Sequence, residues 1–216
     1  MDFLNSIILL TNFIIVPGIT YGSQLALGAI GVTLIYGVLR FANFAYGDLM
    51  AFGTMVVILM TWYLQSKGIS FGLLPTALLA LPIGILLTIA VSLFFDKTVF
   101  EYYRNKKSNP VTFIVVSLGI MFVLNAVVRI IIGPNDINFM DGHKFIMKAR
   151  EFKQLTGLNE GLAIKSTQVI TLVTTIITCS ILFYFLNKTK TGKSMRAYSN
   201  NEDLALLSAI DTKKIV

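Results

Sequence analysis

Charged side chains along this chain are bunched, and the stretches between them are long and apolar. No charged residue falls between Asp2 and Arg40, between Asp48 and Lys67, between Lys67 and Asp96, or between Lys165 and Lys188. A helix that crosses a bilayer needs about 20 mostly apolar residues. Stretches of that kind lie at 19–39, 44–64, 72–95, 111–132 and 166–187, with a shorter one at 3–16. The leading Met1-Asp2 carries no positive side chain, which argues against a secretory signal. The pattern instead predicts a short first helix ended near Pro17-Gly18. The expected fold is all-α, a polytopic membrane bundle of about six transmembrane helices.

Composition narrows the function classes. Of 216 residues, 55% are hydrophobic and 13% charged, about half the roughly 25% charge of an ordinary soluble domain. Disordered, collagen-like and ordinary cytosolic chains are excluded. One Cys and one His remove a disulfide framework, a CxxC zinc site and His-pair metal motifs. No metal is expected. A membrane-embedded enzyme needs a nucleophile with its base, and the sequence offers no GxSxG and no second His. His143 falls in a loop and Cys179 in an apolar span, so the chain is read as not an enzyme.

The net charge of +7 fits cytoplasmic loops of a membrane protein better than a nucleic-acid partner. With the C-terminal tail inside, eleven Lys and Arg lie in cytoplasmic segments and six outside. That bias puts 96–110 and 188–216 in the cytoplasm and makes 133–165 an outer, periplasmic loop. The basic cluster of 96–110 suits anchoring near anionic headgroups. An outer loop of 33 residues is usually functional or carries its own structure. Gly133-Pro134-Asn135-Asp136 reads as a turn, and 143–154 as a short interfacial helix. The whole of 1–216 reads as one membrane domain.

Three stretches hold small or polar residues at membrane depth. From Gly18 to Gly37, the residues Gly18, Gly22 and Ala26 share one helix face, and Ala29, Thr33 and Gly37 another. Small faces allow close helix contact in lipid, so this helix is expected at the centre of a bundle. The alternative is a helix lining a pathway with Gln24, Thr33 or Tyr36. Between Arg40 and Asp48, the polar Asn43, Tyr46 and Asp48 stand at or near membrane depth, where such groups face a cavity or a partner. They also fit a plain interface marker. Asn125 and Arg129 lie one turn apart in the 111–132 stretch, open to either snorkelling or a substrate role.

The tail adds a further signal. Ser199-Asn200-Asn201-Glu202 matches a capping box that starts a helix at about Asn200. Leu204, Leu206, Leu207 and Ile210 then share one broad apolar face, and Asp211-Thr212 ends it. Such a helix needs a cytoplasmic partner or the lipid interface to cover it.

In that order, the stretch Gly22–Gly37, the hexapeptide Asn43-Phe44-Ala45-Tyr46-Gly47-Asp48 and the tail Thr191–Asp211 together resemble the permeases of branched-chain amino acid ABC transporters, the LivH-type family. Urea and short-amide permeases share the pattern. The resemblance implies a multi-pass bacterial inner-membrane subunit. Its implied partners are a second permease subunit, cytoplasmic ABC ATPases, a periplasmic substrate-binding protein and membrane lipid. ATP would sit on the ATPase partners; this chain has no GxxxxGK[ST] loop and binds no cofactor of its own. By resemblance, Asn43, Gly47 and Asp48 form the membrane motif, and Gly192, Arg196, Glu202, Ala205 and Ile210 the coupling segment. Gln24, Thr33, Tyr36 and Tyr46 join them as pathway candidates on the residue reading. Tyr46 stands where the family often has His, and Ala209 where it usually has Gly. The family also continues with further membrane helices past this segment, which implies a chain truncated at Val216. A truncated, non-transporting membrane protein is the third reading.

Overall fold

The structure is a computed structural model that describes residues 2–72, 74–133, 135, 139, 141, 145–157, 159–201 and 205. Its helices are α1 (Asp2–Leu10), α2 (Val16–Leu39), α3 (Ala45–Ser66), α4 (Ala77–Phe95), α5 (Glu101–Asn105), α6 (Pro110–Ile132), α7 (Ala149–Thr156), α8 (Ser166–Lys188) and α9 (Lys190–Asn200). Two short strands, β1 (Phe145–Met147) and β2 (Ile164–Lys165), pair antiparallel. Among the described residues, five helical runs are long and apolar enough to cross a membrane: Phe3–Leu39, Ala45–Ser66, Ala77–Asn105, Pro110–Ile132 and Ser166–Lys188.

The first two expected helices are therefore one. A π turn at Thr11–Ile15 joins α1 to α2, and the Val16 N–H reaches back five residues to the Thr11 carbonyl. Proline in a regular helix clashes with the carbonyl four residues earlier. The wider turn just before Pro17 relieves that clash, so the helix runs through Pro17-Gly18 instead of ending there. A second π turn, Asp96–Phe100, carries α4 into α5. The expected inner loop is thus largely helical. Arg104 Nη2 donates to both carboxylate oxygens of Asp96 at 2.9 Å, bridging that turn.

The chain forms two compact units, 1–39 with 144–216, and 40–143. In the 40–143 unit, α3 packs against α4 and α6. Gly53 of α3 meets Thr88 of α4, and Val57 meets Gly84, so α3 and α4 are antiparallel. A Cβ at Gly84 would run into the Val57 side chain, which is why only glycine fits that crossing. Towards α6, the Phe44 N–H donates to Ser117 Oγ at 3.2 Å. Phe41 stacks on Phe113 with ring centroids 5.1 Å apart. Trp62 and Ile132 share a hollow further along. Contacts that advance together along both helices make α3 and α6 parallel. Asn109 is extended and Pro110 opens α6, the position where a missing N–H costs nothing.

In the other unit, α2 packs against α8, and α9 folds back on both. The segment between α6 and α8, expected as an outer loop, carries its own structure in its described part. The segment expected as one interfacial helix splits into β1 and α7, because Phe145 and Met147 are taken up in pairing with Lys165 and Ile164. Helix α7 starts only after Lys148, whose N–H donates to the Glu151 carboxylate. Asn12 clamps the loop's far arm: its Nδ2 donates to the Gly161 carbonyl at 2.6 Å, and its Oδ1 accepts from the Ala163 N–H at 3.0 Å. No residue of α2 is buried. Nothing described lies within 4 Å of a Cβ at Gly18 or Gly22. The expected central helix is thus open over its first small-residue face. The apolar side chains of these runs point outward, as lipid-facing surfaces do.

Candidate functional site

The membrane motif builds the start of α3. Asn43 Oδ1 accepts from the Ala45 N–H at 3.1 Å, and the Asn43 carbonyl from the Tyr46 N–H. The Phe44 N–H is taken by Ser117 Oγ, itself fully buried and donating to the Ile114 carbonyl at 2.8 Å. The first donors of a helix have no partner within it; here three of them are satisfied by the motif and one α6 serine. Asn43, one residue before the N-cap Phe44, therefore caps the start of α3 through an Asx turn. Arg40, with a left-handed φ of 61°, turns the chain from α2 into this segment. Tyr46 is half-buried, and Gly47 faces open space.

Asp48 lies one turn into α3. Asn125 Nδ2 donates to its Oδ1 at 3.0 Å, and Arg129 Nε donates to Asn125 Oδ1 at 2.9 Å. Arg129, exposed, thus reaches back along its own helix to the Asn125 that also holds Asp48. The three line a hollow of about 300 Å³ together with Ile58, Trp62 and Ile132. Sequence reasoning singled out Asp48 and noted the other two separately. The signal that joins them is that ionisable groups at membrane depth seek each other.

The α2 candidates do not form one site. Thr33 and Tyr36 are three residues apart and adjacent on the helix. Gln24 is nine residues from Thr33, two and a half turns, and so faces the opposite side. Gln24 and Tyr36 are exposed, and Thr33 Oγ1 donates to its own helix at the Ile30 carbonyl.

The coupling candidates divide likewise. The helix expected from about Asn200 lies, beyond Asn201 and apart from Ala205, outside the described residues; ahead of it the structure adds a helix the sequence reading did not expect, α9, from Lys190 to Asn200 with Asn201 extended. The reason is Thr189, whose Oγ1 accepts the Gly192 N–H at 3.0 Å and donates to the Phe185 carbonyl at 2.7 Å. It caps α9 and ties it to the end of α8. Gly192 is buried there, and a Cβ would strike the Phe185 carbonyl and Leu186 Cα. The Asn201 carbonyl accepts from the Ala205 N–H at 3.1 Å. Ala205 is buried and Arg196 exposed. Arg196 and Thr33 border one groove of about 370 Å³, and a Cβ at Gly37 would lie 3.2 Å from Ser199 Oγ. Glu202, Ala209, Ile210 and the apolar face of Leu204, Leu206 and Leu207 lie outside the described residues. Among the described residues, no group of three or more His, Cys, Asp or Glu gathers as a metal site.

The family model described as "Branched-chain amino acid transport system / permease component" matches residues 14–216. The chain is 25% identical over 203 residues to the high-affinity branched-chain amino acid transport system permease protein LivH of Escherichia coli (strain K12), covering 92% of this chain and 62% of that one. The LivH of Salmonella typhimurium gives the same figures. The corresponding permease protein BraD of Pseudomonas aeruginosa is 24% identical over 211 residues, 94% of this chain and 63% of its own. The chain thus spans a little under two thirds of the length of these relatives. No solved structure matches it.

Proposed function

The chain belongs to the family of branched-chain amino acid transport system permease components and is a multi-pass inner-membrane protein; from that premise we propose that it is a membrane subunit of an ATP-driven importer of branched-chain amino acids. The carrying observation is the family match across 14–216. The relatives' printed role, high-affinity branched-chain amino acid transport, supplies the substrate class. In this reading ATP is bound and split on cytoplasmic partner subunits. A periplasmic binding protein delivers the amino acid, and a second permease subunit completes the pathway.

The chain's own part is to change between outward- and inward-facing states as the partners bind and hydrolyse ATP. Helix α9 suits the transmission. Thr189 and Gly192 hold it as a fixed elbow on α8, and Ser199 rests against Gly37 of α2. A push on α9 therefore reaches the ends of two membrane helices. Arg196, exposed on α9, is a docking residue for the ATPase, with Glu202 and Ile210 further along the chain; Ala205 is buried and supports the segment instead of touching the partner.

The test is uptake by the source cells with the gene deleted and restored. The reading expects radiolabelled leucine uptake to fall on deletion and return with the wild-type gene. Arg196→Glu should return the protein to the membrane without the uptake. Unchanged leucine uptake in the deletion, or a loss confined to urea, contradicts the reading.

A further inference from the structure

The α3–α6 hollow leaves opposite charges incompletely used. Asp48 and Arg129 make no direct ion pair; among the described residues the ion pair is Asp96–Arg104. Asn125 stands between them and holds each by one bond. Among the described residues, Asp48 Oδ2 and both Nη groups of Arg129 make no hydrogen bond. One carboxylate oxygen and two guanidinium nitrogens are therefore unfilled at the edge of a hollow of about 300 Å³, the lower end of small-molecule sites. Ile58, Trp62, Val128 and Ile132 give the hollow an apolar side, and Asn135 adds a further polar group to its lining. Charges at membrane depth are expensive unless matched.

We propose that this hollow binds the head of a free α-amino acid, with Asp48 taking the ammonium, Arg129 the carboxylate, and the apolar wall the side chain. The inference rests on the import reading and names its substrate subsite. The Asn125 amide is the spacer: it keeps Asp48 and Arg129 from neutralising each other, so that a zwitterion carrying both charges on one carbon completes them. A monocation or monoanion completes one charge and leaves the other unpaired, which a low-dielectric site penalises. Urea completes neither. The guanidinium suits the carboxylate because it presents paired donors in one plane. Trp62, Ile58 and Ile132 then favour a branched aliphatic side chain over a polar one.

The test separates this subsite from selection by the binding protein. The transporter is purified with the subunits that accompany the chain, placed in nanodiscs without the periplasmic protein, and titrated with tritiated leucine. The competitors are 3-methylbutylamine, which lacks the carboxylate, and 4-methylpentanoate, which lacks the ammonium. Both should compete at least about tenfold more weakly than leucine, as expected where a charged partner is left unpaired. D48N and R129Q should each weaken leucine by about tenfold or more. D48N should also erase the discrimination against 4-methylpentanoate, and R129Q that against 3-methylbutylamine. W62A should bring alanine and leucine closer together. Leucine binding unchanged in D48N and R129Q, or analogues equal to leucine in the wild type, overturns the subsite. The second comparison stands even where a variant does not assemble. Cell uptake distinguishes the two claims. Leucine uptake that needs the chain but ignores D48N and R129Q leaves import standing and the subsite refuted. No chain-dependent amino acid uptake refutes import itself.

Discussion

Asn12 engages both ends of its amide on one distant segment, the Gly161 carbonyl and the Ala163 N–H. Replacing it with Ala leaves a donor and an acceptor of the segment between α6 and α8 unpaired. A lost buried partner costs about 1–3 kcal/mol, so Asn12→Ala should speed amide exchange at Ala163 by one to two orders of magnitude. Hydrogen exchange on the detergent-solubilised chain measures this, and unchanged exchange removes the clamp. Sequence reading passed over Asn12, because its partners lie some 150 residues away and nothing local marks it. Asn43 and Asp48 were legible from their polarity at membrane depth. What divides them, capping against an open carboxylate, depended on where Ser117 and Asn125 fall on α6. Gly192 was legible only through family resemblance. Its physical reason is contact with the Phe185 carbonyl. Gly192→Val should lower the thermal midpoint of the solubilised chain, by roughly 1–3 kcal/mol of overpacking. An unaltered midpoint refutes the close approach.

At the scale of elements, long charge-free runs made the membrane helices plain, since length and apolarity suffice for a span. Their ends were less plain. Pro17-Gly18 is a normal stop signal, yet the π turn before it absorbs the proline and merges α1 with α2. Asp96 and Lys97 marked a loop by charge, yet the helix persists to Asn105 through a second π turn. Charge marks the edge of the bilayer and not the end of the helix. In the tail, sequence reading passed over Thr189, which joins capping to a back-bond on α8 and starts α9 ahead of the Ser199–Glu202 pattern. The fit of α3 against α4 is set by Gly84 facing Val57. Gly84→Leu should force these helices apart and lower the yield of folded protein in detergent, with Gly84→Leu/Val57→Ala recovering part of it. Such recovery is the signature of direct contact. No recovery would place the damage elsewhere.

For the whole molecule, the Lys and Arg bias predicts an orientation with the C-terminal tail inside, and the helix order gives it a test. With Cys179 replaced by Ala, single cysteines at Lys67 and Lys153 should react with an impermeant maleimide on intact spheroplasts. Cysteines at Lys107 and Lys193 should react only after lysis. The reverse pattern inverts the topology. The family was legible because three motifs occur in order, and the match over 14–216 bears it out. The substrate was not legible from composition or spacing, which are alike for any apolar bundle; it is proposed from the relatives' printed role. The central claim is that ATP drives a branched-chain amino acid inward through this subunit. The most direct measurement is leucine accumulation in proteoliposomes holding the purified transporter and its binding protein, with ATP on the ATPase side. The account predicts accumulation above the external concentration that stops when ATP is withheld. Leucine that only equilibrates, or enters equally without ATP, contradicts it.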